Sequence, residues 1–137
     1  MVLVEDNPAD ELVIRDCVAQ RFPDAVLSVQ KDGERMMRWI DMIETEYAPL
    51  PNVILLDLNL PRFTGEQVLE RLHSLPKFQG IPVVIVTSSD APSDRTATAR
   101  LGAAVYFRKP ADYDDFLKLG EVIHSVLYPS VSASAQI

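Results

Sequence analysis

The chain has 137 residues, 47% of them apolar and 24% charged, with a net charge of −7; these are the proportions of one globular domain able to bury its own core. Acids outnumber bases by 20 to 13, which argues against direct nucleic-acid contact, because that affinity comes mostly from cations on phosphates. No run approaches the ~20 apolar residues of a membrane span, the N-terminus reaches acid at Glu5 too soon for a signal peptide, and the single cysteine, Cys17, has no partner for a disulfide, so a cytoplasmic location is expected.

Five apolar runs alternate with five helical patterns. Residues 2–5 read as a short strand. Pro8 opens a helix to about Phe22, with Leu12, Val13, Cys17 and Val18 at helical spacing. Pro23-Asp24 is a turn, and residues 25–29 form the second strand. Asp32-Gly33 precedes a helix carrying Met36, Met37, Ile40 and Ile43, and the paired prolines Pro49 and Pro51 enforce a loop. Residues 52–57 form the third strand, whose unbroken apolar run predicts burial on both faces, as in a parallel sheet. Pro61 and Gly65 frame a loop before a helix from Glu66 to about Leu75. Residues 81–87 are the fourth strand. Ser89 or Asp90 is placed to cap the next helix, which stops near Gly102. Residues 103–108 are the fifth strand. The last helix spans about Asp112 to Leu127, with Phe116, Leu117, Val122, Ile123 and Val126 inward. Residues 1–128 are thus one domain and 129–137 a small, polar tail.

Five βα units of this length imply right-handed crossovers and a doubly wound, five-stranded parallel sheet with helices on both faces. Reactive groups in such sheets sit at the carboxyl ends of the strands. Strand phase alone then gathers Glu5, Asp6, Asp57, Thr87 and Lys109 on one rim. Each has an ordinary explanation by itself: Asp57 as a turn residue, Glu5-Asp6 as acids favoured at a helix start, Thr87 as a β-former, Lys109 as a surface lysine. Four separate strand ends carrying three carboxylates, a hydroxyl and an ammonium make a site instead. His73 and His124 lie singly on helices without metal-ligand spacing, and no Gly-rich phosphate loop is present.

Leu3-Val4-Glu5-Asp6-Asn7, Leu56-Asp57-Leu58-Asn59-Leu60-Pro61, Gly65, Val86-Thr87-Ser88, Gly102-Ala103 and Tyr106-Phe107-Arg108-Lys109-Pro110 together resemble the signature of receiver domains of two-component response regulators. The resemblance covers the chain to about Leu127, and the longer segment between the second helix and the third strand, followed by Leu56-Asp57-Leu58-Asn59-Leu60-Pro61, is similar to small stand-alone receivers that partner phytochrome-type histidine kinases. It implies a flavodoxin-like (βα)5 fold and phosphoryl transfer from a kinase phosphohistidine, or from a phosphotransfer protein, to Asp57. It implies Mg²⁺ ligated by Asp6, Asp57 and the backbone carbonyl of Asn59, with Glu5 acting through water. Lys109 and Thr87 would contact the phosphoryl oxygens, Tyr106 would be a switch aromatic coupled to Thr87, and the Lys109-Pro110 peptide would be cis. Three acids against Mg²⁺ and one lysine balance in charge.

Only a short tail follows the last helix, too little for a DNA-binding module. Output is therefore expected through a downstream protein, by way of the fourth helix, fifth strand and fifth helix, or by homodimerisation on that face. Two other functions fit these residues less well. A small Mg²⁺-dependent phosphatase would carry a second acid two residues after its nucleophile, where this chain has Asn59. A pseudo-receiver that only binds partners would not need the charge cluster.

Overall fold

The computed structural model describes residues 1–46 and 48–129. Five strands form one parallel sheet: β1 (Val2–Val4), β2 (Ser28–Gln30), β3 (Ile54–Leu56), β4 (Val83–Thr87) and β5 (Val105–Arg108), in the order β2-β1-β3-β4-β5. The helices between them are α1 (Pro8–Arg21), α2 (Gly33–Thr45), α3 (Gly65–Ser74) and α4 (Pro92–Arg100). The last helix runs as two segments, α5 (Tyr113–Leu117) and α6 (Leu119–Leu127), joined through Lys118, whose own backbone stays helical. This is the expected doubly wound fold. The 129–137 tail lies, apart from Pro129, outside the described residues, as does Tyr47 in the loop before β3.

Alternation along the strands builds two cores. Val2, Val4, Ile54, Leu56, Val83 and Ile85 pack with α2 and α3 on one face. Leu3, Val53, Leu55, Val84 and Val86 pack with α1, α5 and α6 on the other. Every residue of β1, β3 and β4 is buried, because helices cover both faces of these central strands. The strand ends inherit this phase. Glu5, Asp57 and Lys109 extend the odd-numbered series that faces α1, whereas Tyr106 belongs to the even series facing the opposite core.

Helix starts follow local chemistry. The Asn7 side chain accepts from the N–H groups of Ala9 and Asp10, and Pro8 occupies the first turn, so α1 begins directly after Glu5-Asp6. Thr64 and Gln67 form a capping box on α3, which starts at Gly65, one residue before the sequence-based boundary. Neither Ser89 nor Asp90 caps α4: Pro92 fixes its first turn, and the N-cap is Ala91. The Ser89 hydroxyl instead accepts from the Ala91 N–H at 3.3 Å and donates to the Asp94 carboxylate.

Three other expectations are corrected. The second strand is Ser28–Gln30 rather than residues 25–29, because the Ala25 N–H closes a turn onto the Phe22 carbonyl and β2 pairs with β1 from Ser28 onward. Leu12 is exposed; the buried stripe of α1 is Ile14, Cys17 and Val18, and Leu12 lies roughly 200° around the helix from Ile14. The Lys109-Pro110 peptide is trans, the isomer a prolyl bond prefers by about 0.5–1 kcal/mol, and Lys109 reaches the rim from it.

Two glycines, Gly33 against the Phe63 carbonyl and Gly65 against the Asp57 carbonyl, are set by packing. A Cβ on Gly65 would stand 2.1 Å from the Asp57 carbonyl oxygen and 2.6 Å from Leu58 Cα, both backbone atoms that cannot swing aside. Gly65→Ala is expected to lower stability by about 1–3 kcal/mol through overpacking, read as a lower urea midpoint.

Candidate functional site

The rim of the sheet is tied together by backbone bonds before any side chain is considered. The Asp57 N–H donates to the Val4 carbonyl at 3.1 Å, and the Lys109 N–H donates to the Thr87 carbonyl at 2.7 Å. Asp57, one residue past β3, therefore lies beside Glu5 at the end of β1, and Lys109 is drawn in over β4. The loop after Asp57 is pinned by the Gly65 N–H on the Leu58 carbonyl at 3.0 Å. Arg62 in this loop adopts a left-handed backbone with φ 74°, a conformation costing of order 1 kcal/mol for a residue with a Cβ. Its guanidinium is anchored to Glu34 at the start of α2, at 2.6 Å.

At the centre lies the Lys109 ammonium. Three carboxylate oxygens surround it: Glu5 Oε1 at 2.7 Å, Asp10 Oδ2 at 2.8 Å and Asp57 Oδ2 at 2.8 Å. The Asp57 Oδ1 atom accepts the Asn59 N–H at 3.1 Å, and Glu5 Oε2 accepts the Asn7 N–H at 3.2 Å. Lys109, Asp57 and Glu5 are almost wholly buried, and Asp6 is exposed beside them. Burial disfavours the charged form of Lys109, but its hydrogen bonds to Asp10 and Asp57, with the Glu5 carboxylate in ion-pair contact, overcome this and hold the ammonium more firmly protonated than usual. Burial likewise opposes ionisation of Asp57, yet the Lys109 hydrogen bond and charge outweigh it, so the carboxyl sits below its ordinary range. Glu5 goes the other way. Burial, with the neighbouring Asp57 charge, pushes it up to about 7 in spite of Lys109.

The cluster fits a hard divalent cation. One carboxylate oxygen each from Glu5, Asp6 and Asp57 lies within 4.8 Å of the others, an all-oxygen donor set of the kind Mg²⁺ and its relatives take. Glu5 Oε1 is buried without a hydrogen-bond partner, since its 2.7 Å approach to Lys109 is off the bonding direction. An orphaned buried carboxylate oxygen is costly and is relieved by a nearby cation.

Thr87 is fully buried at the end of β4. Ser89 connects it to Tyr106: the Ser89 N–H approaches Thr87 Oγ1 at 3.5 Å, and the Ser89 carbonyl accepts from the Tyr106 hydroxyl at 2.9 Å. The Tyr106 ring is covered by the Arg95 guanidinium of α4, 4.4 Å from its centroid.

The sequence matches the family model of the response regulator receiver domain over residues 1–120. The chain belongs to this family. Response regulator Rcp1 of Synechocystis sp. is 33% identical over 136 residues, spanning 98% of this chain and 92% of its own. Protein PilH of Pseudomonas aeruginosa is 28% identical over 118 residues, 86% of this chain and 91% of its own. The crystal structure of the phosphorylated cyanobacterial phytochrome response regulator RcpA aligns with a TM-score of 0.83 at 31% identity, covering 92% of this chain and 91% of that one. The Mn²⁺-bound form of Rcp1 aligns with a TM-score of 0.82 at 34% identity, covering 94% of each chain. Receiver domains take phosphoryl groups from histidine kinases, bind a divalent metal and act on downstream targets; they are signalling domains rather than typical enzymes. No helix among the described residues is long and apolar enough to cross a membrane.

Glu5, Asp6, Asp57 and Lys109 thus converge as the strand phase predicts, with the Asn59 backbone against Asp57 and Thr87 linked to Tyr106. Asp10 went unpredicted. Its signal was present, because Pro8 at the first turn makes Asp10 the third residue of α1, and helical side chains lean back toward the N-terminus, here toward the rim.

Burial of Glu5 ties stability to pH. A carboxyl whose folded pKa exceeds its ordinary 4.5 stabilises the fold while protonated, fully below pH 4.5, and that contribution is lost as pH rises through about 7. Metal-free protein is expected to lose up to about 1.4 kcal/mol per pH unit from this group across that window. Millimolar divalent cation should flatten the upper part of the decline, because it stabilises ionised Glu5. Urea midpoints from pH 5 to 8, with chelator and with Mg²⁺, check both statements.

Proposed function

We propose that Asp57 is the phosphoacceptor of a switch driven by a sensor histidine kinase or a phosphotransfer protein, with Mg²⁺ as the metal. One observation carries this reading: a buried Asp57 carboxylate is held 2.8 Å from the Lys109 ammonium and within metal-sharing distance of Glu5 and Asp6. A carboxylate attacks an anionic phosphoryl donor poorly unless charge is neutralised and the approach kept in line. Bound Mg²⁺ would supply that neutralisation, held by Asp6, Asp57 and the Asn59 carbonyl, with Glu5 through water.

The protein groups then have defined tasks. An Asp57 carboxylate oxygen attacks phosphorus; the new P–O bond forms as the P–N bond to histidine breaks, and the departing imidazole takes its proton from solvent. Lys109 passes from Asp57 to a phosphoryl oxygen, and Thr87 turns its hydroxyl to another. Hydrolysis reverses the state: water attacks phosphorus, the P–O bond breaks, inorganic phosphate leaves and Asp57 regains its carboxylate.

The switch works through Ser89. Moving Thr87 disturbs the 87–89 segment, to which the Tyr106 hydroxyl is bonded, so the phosphoryl group biases the position of Tyr106 on the face formed by α4, β5 and α5. Phosphorylation adds roughly −1.5 to −2 charges, and moving a two-state element from 1:99 to 99:1 takes about 5.5 kcal/mol, more than Thr87 supplies alone. Metal, Lys109 and Thr87 act together. That face, alone or in a homodimer, would meet the downstream protein. The likeness to Rcp1 and RcpA supports a phytochrome-type kinase.

Incubation with acetyl phosphate and Mg²⁺, followed by intact mass, is expected to show a labile phosphate-sized adduct that requires the metal and vanishes in Asp57→Asn. Absence of the adduct in the wild-type chain, or its persistence in Asp57→Asn, sinks the assignment. Thr87→Ala should still label while losing the phosphorylation-dependent change in Tyr106 environment, followed by NMR.

A further inference from the structure

Asp10 lies outside the residue set implied by the family resemblance, yet it makes one of the three close contacts to Lys109. Its Oδ2 accepts from the ammonium at 2.8 Å, and its own N–H is fixed by the Asn7 cap at 3.1 Å. Among the described residues Lys109 is the single cation paired with the Asp10 carboxylate. Glu11, one residue on, turns instead to Arg15 and Lys31.

An ammonium has three N–H bonds, and each of its three close neighbours here is a carboxylate oxygen. Only Asp10 and Asp57 accept its hydrogen bonds, Glu5 Oε1 being an ion-pair contact, so once Asp57 carries a phosphoryl group Asp10 is the carboxylate left hydrogen-bonded to the ammonium in competition with the phosphoryl oxygens. Glu5 and Asp57 are buried on the rim, with side chains 0% and 5% exposed, whereas that of Asp10 is 29% exposed. Of the three, Asp10 is the carboxylate that water solvates most readily once released. It also adds a fourth negative charge to Glu5, Asp6 and Asp57, in a site where the incoming phosphoryl group is itself an anion.

We propose that Asp10 is a positioning residue for Lys109 and an electrostatic brake on phosphorylation. It holds the ammonium in the resting site and competes with the phosphoryl group for it. This deepens the phosphoacceptor reading and rests on it.

The test uses the full chain with acetyl phosphate and Mg²⁺, comparing initial labelling rate by intact mass and adduct half-life after donor removal. Asp10→Asn keeps the shape and one acceptor oxygen but removes the charge. It is expected to label severalfold faster and to hold the phosphoryl group severalfold longer. Asp10→Glu restores the charge and should return both values toward wild type, which a merely structural role for the aspartate shape does not predict. Glu11→Gln removes a neighbouring charge that does not touch Lys109 and should leave both values unchanged. Should Asp10→Asn fold poorly by circular dichroism, Asp10→Ser serves as the neutral variant.

A neutral Asp10 variant that labels no faster and dephosphorylates no more slowly than wild type overturns the role of Asp10 while the phosphoacceptor stands. An equal gain in Glu11→Gln overturns it too, since the effect is then one of net charge. A wild-type chain that never labels removes both proposals together.

Discussion

Everything at this site depends on one ammonium group in a nearly water-free position among carboxylates. Burying Lys109, Glu5 and Asp57 would be prohibitive for any of them alone, since an unpaired buried charge costs several kcal/mol. Together they are mutually supporting but not fully satisfied. The lysine is held charged and Asp57 is held ionised, while Glu5 is left with an oxygen that meets the ammonium as an ion pair but accepts no hydrogen bond. The excess of acid over base is a standing demand for cations. A divalent metal would answer it, and under the proposed role of Asp10 the contest for Lys109 would make the site responsive to a new anion.

The scaffold makes this arrangement stable. The three central strands are buried on both faces, so their register is determined by two cores at once, and a one-residue slip would invert every side chain. That rigidity is passed to the strand ends through backbone bonds from Asp57 to Val4 and from Lys109 to Thr87. The irregular segment after Asp57 is equally constrained, by Gly65 pressed on the Asp57 carbonyl and by Arg62 in a left-handed backbone tethered to Glu34. A site that must place several charges within a few ångströms needs such support from elements that cannot drift.

Away from the charge cluster the contacts are sparser. Thr87 is buried, but its link to Tyr106 passes through the backbone of Ser89 in the β4–α4 connection, where α4 starts without a side-chain cap. Tyr106 is half-buried, bonded by one hydroxyl contact and covered by a guanidinium. Its ring also packs at the edge of the core covered by α2 and α3. The domain thus pairs a rigid reaction rim with a lightly held aromatic on the neighbouring surface.

The strands, the alternation with helices and the rim carrying Glu5, Asp6, Asp57, Thr87 and Lys109 were legible in the chain, because uninterrupted apolar runs ending in polar residues have few foldable arrangements other than a covered parallel sheet. Boundaries were less legible where a local device overrode the pattern: Pro92 moved the start of α4 past Ser89, and a turn at residues 22–25 delayed β2 to Ser28. The isomer of the Lys109-Pro110 bond was an expectation from family likeness and differs here. What only the tertiary structure decided is the pairing of charges. Asp10 and Lys109 are 99 residues apart, and nothing local to either says that they meet. Strand phase specifies which residues reach the rim, whereas the rotation of α1 over the sheet, set by packing of Ile14, Cys17 and Val18, decides which acid of its first turn touches the ammonium.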